Sequence, residues 1–221
     1  MSKRIAIGKV YDVLKDRILN CIYKPGELIF EKNIVNELGV SRTPVREALN
    51  ILSGEGLVNI IPKKGVQITS LSVRKTKEIY EVRKILESYS ISEALKHIKQ
   101  SDLDYLSRLD QTLSDSVGSS DVNNIFKYGM DIHLYIANLS GNETLLKLLT
   151  LLRQESYRVY VYYLRQYMDS VSEEERIEME KTIKDNHSKI IVALKDGDKE
   201  AAIRSVIQDL DTFNQFSRDY S

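Results

Sequence analysis

Apolar residues recur along this chain of 221 residues mostly at helical spacing, with strand-like runs at one place. Val10, Val13, Leu14, Ile18 and Leu19 mark a first amphipathic helix, which "YKPGE" at 23–27 stops with a proline and a glycine. In "EKNIVNELGV" Ile34, Val35 and Leu38 share one face, and Gly39 stands where a helix ends best on a left-handed residue, turning Val40 inward. The next helix cannot begin before Ser41. Pro44 has to lie in its first turn, where the missing N–H goes unused, with Ser41 or Thr43 as the cap. Val45, Ala48, Leu49 and Leu52 form its buried stripe, and Arg42, Arg46 and Asn50, spaced by four, its exposed one. "LVNII" and "VQITSL" then flank "PKKG", which predicts a two-stranded hairpin with a basic tip.

After Ser72 the pattern predicts six helices and no strand. In "IYEVRKILES" Ile79, Val82, Leu86 and Tyr89 are expected on one face, with Arg83 one residue off it. "SDLD" at 101–104 reads as a capping box opening a helix with Leu103, Leu106, Leu109 and Leu113 in a stripe, and "SDSVGSSD" ends that helix. A third helix runs to Ser140 and Gly141, a long fourth covers about residues 142–168, "SVSEEE" caps a fifth that stops at "KDGD", and a sixth fills 198–218. The fold class is therefore mainly α: an N-terminal winged helix-turn-helix of three helices plus a two-stranded wing, residues 1–72, and an all-α six-helix bundle, residues 73–221.

Composition changes this picture through its asymmetry. Lysine plus arginine and aspartate plus glutamate both number 32. Residues 1–71 hold 11 basic against 7 acidic side chains, and the rest 21 against 25, so the amino-terminal part is the one suited to a polyanion. The single cysteine, Cys21, cannot form an intrachain disulfide and reads as a small core residue. No apolar stretch of signal-peptide length follows Lys3 and Arg4, and "LLKLLTLL" at 145–152 is interrupted by Lys147 and Thr150. A cytoplasmic protein without a membrane partner is expected.

Helix, helix, tight glycine turn, helix and hairpin place Arg42 and Arg46 at the leading end of a recognition helix. An arginine fork there matches the two acceptors of guanine in a major groove. Ser41, Thr43 and the first-turn N–H groups suit phosphates, and Lys32 and the wing residues Lys63, Lys64 and Gly65 suit backbone or minor-groove contacts. The alternative, two arginines on a merely solvated face, is outweighed by the turn before them and the basic wing after them.

"GELIFEKNIVNELGVSRTPVREALNILSGEGLVNIIPKKGVQITSLS" resembles the DNA-binding domain of GntR-type bacterial transcription regulators, most specifically in "VSRTPVREAL" followed by "EGLV". The resemblance covers about residues 8–72. It implies operator contacts by Arg42 and Arg46, with Thr43 and Pro44 between them and Lys32 as a further basic contact. Cys21 stands where that family more usually has glycine. The helical remainder, with "HLYIANLSGN" and "NHSKIIVALKDGDKEAA", resembles the family's FCD effector domain in its six-helix, VanR-like form. That likeness implies a homodimer on an operator with an inverted repeat, acting as a repressor controlled by a small organic-acid or sugar-acid effector.

Members of that branch often hold a divalent metal on one aspartate and three histidines. Residue by residue, His133 and His187 match two histidines, Asp209 stands at the third, and Gly129 stands where the aspartate is expected, so restoring it is expected to tighten metal binding. Asp131 cannot replace it, because two residues rotate a helix by about 200°. His133, His187 and Asp209 are thus a two-histidine, one-carboxylate set for zinc, nickel or manganese, with a metal-free buried polar cluster as the open alternative. Arg83 and Glu87, one turn apart, read by default as a surface ion pair, but the resemblance puts Arg83 at the edge of an effector cavity where it holds a carboxylate, with Glu87 beside it. Tyr160, Tyr163 and Tyr167 fall on one face of a segment holding five of the 13 tyrosines, a core or interface pattern first and a cavity lining second. His97, beside Lys96, reads as solvated.

Two rival classes remain. A metal-dependent enzyme fused to a winged helix lacks support from any His-Glu-x-x-His helix, Gly-x-Ser-x-Gly elbow or glycine-rich phosphate loop. A winged helix used only for protein contacts leaves the two leading arginines unexplained.

Overall fold

In the computed structural model, which describes residues 3–117 and 122–218, the first helix, α1 (Lys3–Leu19), ends on a left-handed residue, Cys21, with φ 51°. Ile22 N–H reaches back to Arg17 O at 2.8 Å, closing the helix in the way that makes glycine the usual residue at such a position. Short β1 (Leu28–Ile29) leads into α2 (Glu31–Leu38), and α3 (Arg42–Gly54) follows after Gly39, whose φ of 61° fits the expected turn. Strands β2 (Val58–Ile61) and β3 (Gly65–Ile68) pair antiparallel with Val58 opposite Ile68, and β1 pairs on the other side of β3. The wing hairpin therefore belongs to a three-stranded sheet; the two-residue β1 is too short to leave a period in the sequence. Val10, Leu14 and Ile18 of α1 pack with Ile34, Val45, Leu49, Leu52, Val66 and Ile68 into one core, each large side chain worth about 1.5–3 kcal/mol on burial.

Val73–Ser221 forms a separate compact unit of α4 (Val73–Ala94), α5 (Gln100–Ser116), α6 (Val122–Leu139), α7 (Glu143–Ser170), α8 (Glu173–Lys195) and α9 (Lys199–Arg218). No helix among the described residues is long and apolar enough to cross a membrane. Ser172 and Glu175 close a reciprocal capping box at the start of α8, and Asn142 caps α7 through Leu145 N–H. The box expected at Ser101 is displaced: α5 starts at Gln100, and Asp102 accepts the N–H of Lys99 at 2.8 Å. Of "SDSVGSSD", residues 118–121 lie outside the described residues.

The expected stripe of α4 needs a larger correction. Its buried face runs through Thr76, Tyr80, Arg83, Glu87, Ser90 and Ala94, whereas Val82, Ile85 and Tyr89 are exposed. Of the expected stripe, Ile79 is buried and Leu86 packs inward while Val82 and Tyr89 stay outside; the inward face lies about one residue round because much of it is polar. Lys75 pairs with Glu155 at 2.6 Å, while Leu86, farther along α4, packs by Leu145 and Leu149; α4 and α7 therefore run antiparallel side by side. Leu148 and Leu151 of α7, the helix beside it, are also exposed.

Candidate functional site

In the amino-terminal unit Ser41 takes the cap position of α3 with extended backbone but makes no side-chain capping bond. Ser41, Arg42, Thr43, Arg46 and Lys32 are exposed, whereas Pro44 is buried. Its ring is therefore packed into the first turn, and a direct contact through Pro44 does not fit. Arg46 keeps 62% of its side chain exposed while its Nε donates to Glu31 Oε2 at 2.8 Å. Glu31 is the first residue of α2, and nothing in its local sequence signals a contact across the turn.

The wing tip is a tight turn in which Lys64 N–H donates to Ile61 O at 3.0 Å. Pro62 and Lys63 are its central residues, and Lys63 has φ 64°, a position glycine or asparagine takes more readily. Lys63 and Lys64 are exposed. Gly65 is explained by packing: with φ 125°, a Cβ there would stand 2.8 Å from Ile29 O of β1, so only glycine lets the strands approach.

The helical unit brings the second set of candidates together. His133 of α6, His187 of α8 and Asp209 of α9 offer ligand atoms all within 4.8 Å of one another. His133 Nε2 stands 3.2 Å from His187 Nε2 and 3.1 Å from Asp209 Oδ2. They line a cavity that opens toward solvent and is also walled by Tyr80, Arg83, Phe126, Gly129 and Tyr160. Glu87 does not line it. It is buried behind, with Oε1 accepting from Arg83 Nε at 2.7 Å and Oε2 2.6 Å from His133 Nδ1. The expected surface ion pair is thus a buried one, each partner 3% exposed. Tyr160 and Tyr163 are buried, and Tyr160 alone of the expected stripe faces the cavity. His97 is exposed.

The tautomers follow from the outer nitrogens. His187 Nδ1 lies 2.7 Å from Ile183 O, which only accepts, so that nitrogen carries the proton. Glu87 Oε2, 2.6 Å from His133 Nδ1 though not aligned with it as a hydrogen bond, favours a proton on that nitrogen through its charge. Both Nε2 atoms then turn lone pairs toward each other and toward a carboxylate, three acceptors with no donor among them. A proton on His133 or a divalent ion would answer all three. Zinc–nitrogen bonds of about 2.0–2.1 Å give a tetrahedral ligand edge of about 3.3 Å, close to the separations found, and the Nδ1 contacts are those that orient metal-bound histidines.

Electrostatics agree. Burial opposes a charge on His133, but Glu87 and Asp209 outweigh it and hold its pKa above the ordinary value; burial pushes His187 down, with Asp209 offsetting only part. Burial likewise opposes charge on Glu87 and Asp209, yet Arg83 and His133 hold Glu87, and the two imidazoles hold Asp209, below the usual carboxylate range. Gly129 is filled from outside: a Cβ there would stand 2.7 Å from His187 Nε2, so the imidazole occupies the space a side chain at 129 needs. Sequence reading missed Arg153 of α7, which is 2% exposed with none of its three guanidinium nitrogens hydrogen-bonded among the described residues. An arginine inside the apolar run "LLTLLRQES" was the available signal.

Comparison with known proteins places this geometry. The chain is 29% identical over 198 residues to the HTH-type transcriptional regulator YdhC of Bacillus subtilis, covering 89% of this chain and 84% of that one. It is 27% identical to the gluconate operon transcriptional repressor of the same organism over 96% of this chain and 84% of the relative. Escherichia coli McbR/YncC shares the fold with a TM-score of 0.79 at 23% identity, over 100% of both chains. A putative GntR regulator from Rhodococcus sp. RHA1 does so with a TM-score of 0.77 at 20% identity, over 97% and 98%. The family model of bacterial regulatory proteins, gntR family, matches residues 6–68, and that of the FCD domain residues 78–212. The chain belongs to the GntR family of bacterial transcription regulators, in the branch that carries an FCD domain.

Proposed function

We propose that this protein is a homodimeric repressor that binds an inverted-repeat operator through residues 1–72 and releases it when a small carboxylate binds a divalent ion in residues 73–221. The observation that carries the reading is the cavity where His133, His187 and Asp209 converge as three acceptors beside Arg83. His133 Nε2, His187 Nε2 and an Asp209 oxygen would hold the ion, which would supply a Lewis-acidic anchor for a carboxylate. Arg83, held by Glu87, would take the other side of that carboxylate in a charge-assisted pair. Repression is proposed from the likeness to the gluconate operon repressor.

For the dimer, Val82, Ile85 and Tyr89 with Leu148 and Leu151 would form an apolar surface whose rim carries both signs of charge, in Arg74, Glu78, Lys77, Glu81, Glu143 and Lys147. A two-fold axis places one patch on its own copy, and a mixed rim is self-complementary under that operation. A second copy of the chain is therefore its partner.

On DNA, Arg46 would read a base edge with the nitrogens that Glu31 leaves free, and Lys63 would hold phosphate. Arg46→Ala should cost about 1–3 kcal/mol of operator binding and relax preference at one base pair. Lys63→Ala should weaken all sequences evenly and reduce the salt slope by about one. Titration of operator and scrambled duplexes at several salt concentrations checks both; equal losses on both duplexes for Arg46→Ala would remove its base-reading role. A salt-sensitive, sequence-specific shift on the protein's own promoter, reversed by metal plus a carboxylic acid from a panel, tests the whole reading.

A further inference from the structure

Arg153 lies on the same face of α7 as Tyr160, seven residues or two turns away, and Tyr160 walls the cavity. Its guanidinium is almost wholly buried with all three nitrogens unpartnered among the described residues. A buried cation without a partner costs stability, and no ion pair among the described residues gains from it. Burial and the neighbouring Arg83 push its pKa down to about 9, with Glu87, Asp131 and Asp209 opposing, so it remains charged at neutral pH. Arg83 is matched by Glu87. Asp209 faces the two imidazoles, and half-buried Asp131 opposes Arg153 only through space, bonding to none of its nitrogens. A single carboxylate held on the Arg83 side leaves the buried Arg153 guanidinium still without an acceptor.

From this we infer that the effector is a small dianion, one acid group on the Arg83 side of the cavity and the second on Arg153. The inference rests on the effector reading above and adds the ligand class and a second anion anchor. A guanidinium fork accepts a carboxylate or a phosphate equally well, so the shared chemistry is two negative charges on one small molecule. Held only by ligand, Arg153 is a specificity residue that the ligand-free fold carries at a cost.

The test uses the full chain loaded with zinc, with calorimetric titration of malonate, succinate and glutarate against propionate, butyrate and valerate, and inorganic phosphate as a separate arm. Wild type should bind at least one dicarboxylate about tenfold or more tighter than its monocarboxylate of equal length. Arg153→Met should bring that ratio to about one while keeping monocarboxylate binding, Arg153→Lys should retain part of the preference, and Arg83→Met should remove both. Ligand-free Arg153→Met should melt at or above wild type, since it loses an uncompensated charge; a structural arginine would melt lower. Phosphate bound in an Arg153-dependent way supports the dianion and assigns it a phosphoryl group. An unchanged ratio in Arg153→Met, with acids still lost in Arg83→Met, overturns the second anchor and leaves the effector site standing. No acid or phosphate binding by wild type overturns both.

Discussion

Zinc added to the metal-free protein should raise its melting temperature, and His187→Ala should erase that response. At about one hundred times the dissociation constant, a ligand of the folded state alone contributes about 2.7 kcal/mol, a shift of about 5–10 °C for a chain of this size. The effect is large because His133, His187 and Asp209 already stand close together. Glu87→Gln, which alters the partner of His133 Nδ1 but no ligand, should weaken binding about 10- to 100-fold. Gly129→Asp, which puts back the aspartate of the family's pattern, should weaken it as well, contrary to what the sequence suggests, because its Cβ would meet His187 Nε2 at 2.7 Å. Chelator competition followed by elemental analysis measures all four proteins. Wild type that takes up no zinc, nickel or manganese would return the cluster to a protonated histidine pair.

Acid separates those two states by sign. The raised pKa of His133 stabilises the metal-free fold fully below the unfolded value of 6.5, and that contribution is lost as pH rises through the folded value. His187, depressed, acts the other way: it favours the neutral ring, so its contribution is present above 6.5 and lost as pH falls through its folded value. Metal needs both imidazoles neutral. Zinc affinity should therefore fall as pH drops through a value above the ordinary histidine range, where His133 takes its proton. A zinc titration series from pH 8.5 to 5.5 reads the midpoint; an affinity flat across that range would mean that His133 is not a ligand.

The residues that sequence placed well act locally. Gly39 needs a left-handed backbone, Pro44 needs a first turn, and Ser172 with Glu175 needs a helix start, and each requirement spans a few residues of chain. The metal candidates were placed by likeness, since His133, His187 and Asp209 come from three helices and no single period links them. What failed to show in the sequence depends on partners far along the chain. Glu31 meets Arg46 only after the turn at Gly39 sets the angle of α3, and the space at Gly129 is taken by a histidine 58 positions later. The face of α4 was misjudged at Val82 and Tyr89 for a related reason. Its inward side carries Arg83 and Glu87, a charged pair whose burial is tolerable only because each neutralises the other, and hydrophobic periodicity cannot see that.

That misjudged face also sets the last expectation, on assembly. Ile85 is 70% exposed and Leu151 59% exposed, on two antiparallel helices whose inward faces are already packed. Ile85→Asp with Leu151→Asp should therefore leave the fold of one chain intact while placing two like charges against their copies across a two-fold axis. Sedimentation should show the dimer of wild type giving way to monomer at micromolar concentration, with an unaltered helical spectrum. Operator binding should fall further than any single base contact accounts for. Two reading modules tied together gain about 100- to 10,000-fold over one through effective concentration, so the double variant should bind the inverted repeat only as tightly as an isolated half-site, with zinc uptake unchanged. A double variant that remains dimeric would move the interface elsewhere on the chain. Wild type that is monomeric and binds a half-site as tightly as the full repeat would end the dimer altogether, and the inverted repeat with it.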